Sequence, residues 1–231
     1  MRPTVLLFDI DGTLVTTGGV GRRALERVFE ELFGRPDALA HVRLDGMTDW
    51  AIVRHGLAAV GAPTSAEEIA RVLAGYVKVL EDEVWRADPA RYHLHRGMAE
   101  ALERAAERPE VALGLGTGNI QEGARVKLTR VGVYHRFRFG GFGSDHEERV
   151  ELIRRGAERG AALLGAPMPE CRVVIIGDTP KDVAAAKGIG AECVGVGTGS
   201  FTPEQLRAAG ADAAFQDLGE PGAVETVIGS D

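Results

Sequence analysis

Lysine is almost absent from this 231-residue chain. It occurs only at Lys78, Lys127, Lys181 and Lys187, and arginine supplies the rest of the positive charge. Acidic residues still outnumber basic ones, 34 to 27, for a formal charge of −7, so nucleic acid is not an expected partner. Cysteine is equally sparse. Cys171 and Cys193 each lie beside a valine-rich run, as small core residues do, and two cysteines make neither a disulfide framework nor a Cys/His zinc spacing. No apolar stretch has the length of a membrane span, and the short apolar run near the N-terminus stops at Asp9, too soon for a signal peptide. The expectation is a soluble cytoplasmic protein with no membrane partner. The remainder is ordinary globular composition, 45% hydrophobic and 26% charged, at a length that suits one large domain or a core carrying a smaller insertion.

Four short apolar runs, at residues 4–10, 111–116, 172–177 and 191–197, are continuous rather than alternating. That pattern predicts buried strands of a parallel sheet with helices on both faces. Amphipathic stretches at 97–108, 120–131, 147–164 and 181–188 fall between them, with a weaker strand at 138–141 and a short strand and helix after Asp212. The alternation predicts an α/β doubly wound parallel sheet. Residues 16–89 break it with three helical patterns. One stripe runs from Val20 through Ala24, Leu25, Val28, Phe29, Leu32 and Phe33 to Gly34, and another holds Trp50, Val53, Leu57 and Val60 before Gly61. A Ser65-x-x-Glu68 capping box opens the third, with Ile69, Val72, Leu73, Tyr76, Val77 and Leu80 on one face. Residues 1–15 and 90–231 thus read as the core, and 16–89 as a small all-helical cap inserted after the first strand.

Ligands of open α/β sheets bind at the carboxyl ends of the strands. The first strand ends in Asp9, Asp11, Gly12 and Thr13, the second in Thr117, Gly118 and Asn119, and the run ending at Gly177 in Asp178 and Asp182. Each feature alone has a plainer reading. Two aspartates suit a turn or an N-cap, and Thr179-Pro180 looks like an N-cap with proline first, where Asp182 complements the helix dipole. Together they are more specific. Carboxylates without histidine or thiolate suit Mg²⁺, and a hydroxyl with backbone N–H groups opening a helix suits a phosphate oxygen. Adding one cation completes the parts needed for phosphoryl transfer through an aspartyl phosphate.

These motifs resemble the haloacid dehalogenase-like hydrolases, specifically the phosphatases with a helical cap: "FDIDGTL", "LGTGN" and "IIGDTPKDVAAAKGIGA" match three family motifs in order. "GVGTGSFTPEQLRAAGAD" resembles the closing segment of phosphoglycolate-phosphatase-like members. The resemblance implies a Rossmann-like core in which Asp9 attacks phosphorus and Asp11 protonates the leaving alcohol and then activates water. It also implies Mg²⁺ held by the carboxylates of Asp9 and Asp178 and the backbone carbonyl of Asp11. The implied partner is a small phosphorylated metabolite: phosphoglycolate, a sugar phosphate or a nucleotide.

The family's third motif is a lysine at the start of the helix before the last motif, and this chain has no lysine between Lys127 and Lys181. Arg149 is expected to supply that charge near phosphate, after a Ser144-x-x-Glu147 capping box. Lys127 is the other candidate, but it lies two turns into its helix, roughly 12 Å along the axis, farther than its side chain conveniently reaches. Arg22, Arg23, Arg54 and Lys78 are cap cations that could meet substrate, and "GMTD" at 46–49 suggests a loop over the site. His55, His93 and His95 point to no site. Alternatives are a phosphomutase, a phosphonate hydrolase using Lys78 as a Schiff base, and a receiver-type phospho-acceptor module. The insert at 16–89 and the Asp9-Ile10-Asp11 spacing count against the receiver.

Overall fold

The continuous apolar runs form a parallel sheet with the first of them, β1 (Thr4–Phe8), near its centre. The computed structural model describes residues 2–229. In chain order the elements are β1, β2 (Val15–Thr16), α1 (Val20–Phe33), α2 (Asp49–Ala59), α3 (Ala66–Arg86), β3 (His93–Leu94) and α4 (Met98–Ala106). Then come β4 (Val111–Thr117), α5 (Gln121–Arg130), β5 (Gly140–Phe142), α6 (Arg149–Leu163), β6 (Arg172–Gly177) and α7 (Pro180–Gly188). The chain closes with β7 (Glu192–Val196), α8 (Pro203–Ala208), β8 (Ala213–Phe215) and α9 (Ala223–Ile228). The sheet order is β5-β4-β1-β6-β7-β8, every pair parallel. This is the α/β doubly wound architecture expected from the sequence.

Alternate strand residues face opposite layers. Leu6, Phe8, Leu115, Val174 and Ile176 pack with residues of α4, α5 and α9, whereas Val5, Leu7, Val173 and Ile175 pack with α6, α7 and α8. Both faces are therefore covered, which is why the strands read as unbroken apolar runs. Cys171 and Cys193 are buried in the second layer and unpaired, as small core residues.

Register brings the strand tips together. Phe8 lies level with Leu115 of β4 and Ile176 of β6. One or two residues later, Asp9, Thr117 and Asp178 therefore emerge side by side at the carboxyl edge of the sheet.

Helices α1, α2 and α3 share a separate apolar cluster that includes Val28, Phe29, Val53, Leu57, Val72 and Leu80, and Ile120 and Val126 at α5 join it. The chain leaves and re-enters the sheet layer through a two-stranded antiparallel ribbon, with Val15 opposite Leu94 and Thr16 opposite His93. On α3 the buried face includes Val79 and Val84, while Val77 is half-buried. No helix among the described residues is long and apolar enough to cross a membrane.

Two local expectations are corrected. The Ser144-x-x-Glu147 box does not form: α6 starts at Arg149, its N-cap Glu148 makes no capping hydrogen bond, and Glu147 instead grips Arg54 of α2 at 2.7 Å. Ser144 accepts the Gln121 N–H of α5 instead. The segment 198–209, given no helix from the sequence, forms α8 through a Thr202–Gln205 capping box with Pro203 at the first position.

Gly97, the N-cap of α4, has φ 81°, and a Cβ there would lie 2.1 Å from the Leu218 carbonyl carbon. Backbone handedness and steric clash both oppose a side chain. Gly97→Ala is expected to cost about 3 kcal/mol of unfolding free energy in a urea titration, and a cost under about 1 would show that the α4–Leu218 contact yields easily.

Candidate active site

Helix α7 illustrates how local sequence builds the site. Thr179 caps it, its hydroxyl accepting the Asp182 N–H, and Asp182 returns a carboxylate oxygen to the Thr179 N–H at 3.1 Å. The same carboxylate has a second task that no local pattern reveals. Its Oδ1 accepts from Nε (3.0 Å) and Nη2 (2.5 Å) of Arg149, thirty-three residues away at the start of α6. Asp182 is fully buried, and Arg149 nearly so.

Arg149 is thereby aimed at the sheet edge, where Nη2 lies 3.1 Å from Asp9 Oδ2. The Thr117 hydroxyl beside it also favours the ionised form of Asp9. Burial nevertheless wins at Asp9: desolvation outweighs the pull of Arg149, Asp182 adds repulsion, and the carboxyl is pushed up to about 6. Asp178 accepts the Thr13 hydroxyl at 2.9 Å, and burial followed by repulsion from Asp182 and Asp9 raises it well above the usual carboxylate range.

Asp11 occupies a different electrostatic setting. Its carboxylate leans toward α5, where Lys127 Nζ (2.6 Å) and Asn119 Nδ2 (2.9 Å) meet Oδ2, while the Thr17 hydroxyl meets Oδ1 at 3.2 Å. Burial alone would raise this group, but Lys127, Asn119 and Thr17 together hold it below its ordinary value. Lys127 therefore does reach the site, against the expectation from its distance along the helix. Asp11 bonds both Asn119, before α5, and Lys127, seven residues into it, so it lies beside the helix rather than beyond its end. The two candidate cations are both present, Arg149 facing Asp9 and Lys127 facing Asp11.

Asn119, expected from the sequence at the phosphate-facing strand tip, hydrogen-bonds with its side chain inside the protein. Nδ2 also reaches Thr117 Oγ1 at 3.0 Å, and Oδ1 accepts from Lys127 Nζ at 2.6 Å. Gly118 lines the cavity, and its carbonyl accepts the Asp49 N–H at 2.8 Å. The 46–49 loop thus rests on the strand tip, and the Gly46 carbonyl also lies 3.5 Å from Arg149 Nη1. Among the cap cations, Arg22 lines the cavity but donates to the Leu39 and Val42 carbonyls, and Arg23 pairs with Glu83. Lys78 is exposed and outside the cavity, which removes the basis for a Schiff-base phosphonate hydrolase. His55 and His93 are exposed, and His95 meets His93 edge-on at 5.9 Å. Thr17 and Tyr76 also line the cavity, and neither carried a signal in the sequence: one is a lone hydroxyl, the other sits in an apolar helical stripe.

Asp9, Asp178 and Asp182 each offer an oxygen within 4.8 Å of the others. Ionised together, the three carboxylates exceed the single guanidinium of Arg149 by two negative charges in a buried space; the raised Asp9 and Asp178 carboxyls register that crowding, which a divalent cation would relieve. The donors are hard oxygens, the set Mg²⁺ takes. Asp182 has committed its oxygens to Arg149 and Thr179, leaving Asp9 and Asp178 as the pair with capacity. Two glycines make room around Asp178: a Cβ at Gly12 (φ 80°) would lie 2.5 Å from its Oδ2, and one at Gly199 only 1.8 Å. The residues present fit the ion.

Asp9, Asp11, Asp178, Arg149 and Lys127 line one cavity of about 610 Å³ between the strand tips and the three helices α1–α3. The fold of the whole chain recurs in solved structures. CbbY from Rhodobacter sphaeroides, in complex with phosphate, is 20% identical with a TM-score of 0.70, covering 96% of this chain and 97% of that one. A mutant of CbbY was solved with xylulose-(1,5)bisphosphate. A candidate β-phosphoglucomutase from Thermotoga maritima is 26% identical, with a TM-score of 0.60 and 98% of each chain covered. A candidate phosphoglycolate phosphatase from Lactobacillus delbrueckii subsp. bulgaricus is 19% identical, with a TM-score of 0.66 over the full length of both chains. A comparison with curated proteins gives no significant match. The model of the haloacid dehalogenase-like hydrolases matches residues 6–196, a span that contains every carboxylate and cation of this site, and the chain belongs to that family.

Proposed function

We propose that this chain is a Mg²⁺-dependent phosphatase that hydrolyses a small phosphomonoester through an aspartyl phosphate on Asp9, with residues 16–89 acting as a cap over a core of 1–15 and 90–231. The observation that carries the reading is the separation of the two carboxylates into unlike surroundings. Asp9 sits with Asp178 in the charge-deficient pocket under Arg149, and Asp11 sits apart with Lys127. Two neighbouring acids in different environments can take different roles.

Asp9 and Asp178, with the Asp11 backbone carbonyl as the resemblance implies, would hold Mg²⁺, which supplies charge neutralisation for a phosphoryl group. Asp9 Oδ attacks phosphorus, and the P–O bond to the leaving alcohol breaks. Arg149 offsets the negative charge on the phosphoryl oxygens. Asp11 delivers a proton to the departing oxygen and later takes one from the water that cleaves the acyl phosphate. Lys127 keeps Asp11 ionised at rest, its base form. The negative charge of an arriving phosphate dianion opposes Lys127 and lets Asp11 carry the proton needed first. The 46–49 loop on Gly118 and the helices above it keep bulk water from the acyl phosphate.

A phosphate-release screen over small esters, with Mg²⁺ and with EDTA, tests the reading; activity indifferent to EDTA would sink it. Phosphomutase activity is the second reading, favoured by the relative described as a candidate β-phosphoglucomutase, and transfer of phosphate to a second hydroxyl of a sugar phosphate would distinguish it. The metal site has its own readout. Mg²⁺ is expected to raise the melting temperature of the metal-free protein, by the equivalent of about 2.7 kcal/mol at a hundred times its dissociation constant. Asp178→Asn should remove most of that gain, and an unchanged gain would remove Asp178 from the metal site.

A further inference from the structure

Above the strand tips the cavity has two polar atoms that the fold itself does not use. Asp49, 6% exposed at the start of α2, gives Oδ2 to the Ile120 N–H at 2.8 Å, and its other carboxylate oxygen has no hydrogen-bond partner among the described residues. Tyr76, 1% exposed on α3, likewise has no partner for its hydroxyl among the described residues. Both residues line the cavity, together with Lys127 and Asp11. Buried polar groups are normally satisfied by the protein, so a pair left open toward a cavity marks a place for a ligand's own polar groups.

Gly21 supports the same place from α1. It is the second residue of α1, a position where glycine gains nothing as a helix former. A Cβ there would lie 3.4 Å from Lys127 Nζ and 3.5 Å from the Tyr76 oxygen, inside the space these groups border. Residues from α1, α2, α3 and α5 therefore converge on one opening.

We infer that Asp49 and Tyr76, with Gly21 leaving the space, form a subsite for a hydroxyl group on the leaving alcohol, so that the substrate is a polyol or sugar phosphate. This rests on the phosphatase reading above and narrows it. The unpartnered carboxylate oxygen can only accept, so the ligand must donate. Lys127 is already paired with Asp11, so a ligand carboxylate would face the charge of Asp49 and be repelled, which disfavours phosphoglycolate. A ligand ammonium would donate to Asp49 but could accept nothing from the Tyr76 hydroxyl. A hydroxyl donates to Asp49 and accepts from Tyr76 without either penalty.

The test compares kcat/KM for sn-glycerol 3-phosphate, n-propyl phosphate and 2-phosphoglycolate with Mg²⁺, in the wild type, Tyr76→Phe and Asp49→Asn. The hydroxylated ester is expected to exceed propyl phosphate by about 100-fold, because its absence leaves buried groups unpaired. Each substitution should shrink that ratio by about tenfold or more. A thermal melt accompanies each variant; Tyr76→Phe removes no hydrogen bond among the described residues, so its fold is expected to persist. Equal turnover of the two alkyl phosphates, a preference for phosphoglycolate, or a ratio unmoved by Tyr76→Phe overturns the subsite and leaves the phosphatase reading standing. No hydrolysis of any ester overturns both.

Discussion

Asp9→Asn is expected to abolish turnover while making the metal-free protein more stable. The substitution keeps the shape of the side chain and its contact with Thr117, but an amide cannot attack phosphorus, so the loss should be about 10⁴-fold or more. Stability runs the other way because Asp9 is buried beside Asp178 and Asp182. Its carboxyl is pushed up to about 6 from an ordinary 3.8. Between those values the folded protein holds a proton that the unfolded chain has released, so stability falls as pH rises through that window. Above pH 6 the whole penalty is present, of the order of 2–3 kcal/mol, and the amide removes it. Melting curves at pH 7.5 in EDTA should therefore place the variant above the wild type, and Mg²⁺ should narrow or reverse the gap. Turnover within a hundredfold of wild type would remove Asp9 as nucleophile, and a lower melting temperature would refute the crowding of charge.

That combination of weakened fold and assembled chemistry explains which parts of the protein were legible in the sequence. The strands were legible because burial on both faces leaves an unbroken apolar run, as in Val173–Ile176, and because each run ends where its polar residues begin. Asp9, Asp11, Thr117 and Asp178 could be brought to one edge because parallel strands in register share that edge. Distances across the molecule were not legible. In the sequence Asp182 reads as an acid complementing the dipole of α7 or as a site residue, and its hold on Arg149 depends on how α6 and α7 pack, which no local spacing encodes. Lys127 was placed too far away because distance along α5 is the wrong coordinate for a carboxylate lying beside the helix. The pairing of Asp49 with Tyr76 was not legible for a similar reason: Asp49 reads as the end of a loop over the site and Tyr76 as one more apolar-stripe residue.

Arg149 and Lys127 are expected to fail differently when removed. Arg149→Ala leaves the buried carboxylates of Asp9 and Asp182 without the guanidinium that pairs with both, and truncating one partner of a buried pair costs about 3–5 kcal/mol. It also removes the charge facing the phosphoryl oxygens, about 10²–10³-fold in kcat. Mg²⁺ restores part of the stability, since a divalent cation offsets the same charge, but not the lost turnover. Lys127→Met keeps the buried stem and deletes the cation at 2.6 Å from Asp11. Lys127 is the leading influence holding Asp11 below its ordinary value against burial. Without it the Asp11 carboxyl titrates at higher pH, so the alkaline limb of the pH–rate profile, where Asp11 loses the proton the first step needs, moves up, while Arg149→Ala lowers the profile and leaves that limb in place. Profiles of kcat/KM from pH 4 to 9, with the wild type alongside, separate the two. A Lys127→Met profile that falls without moving would assign Lys127 to the phosphate instead of Asp11. An Arg149→Ala variant with near-native kcat would take the phosphate from Arg149. If both results occurred together, the two cations would have to exchange roles, and Asp11 would reach the leaving oxygen without a cation to set its charge.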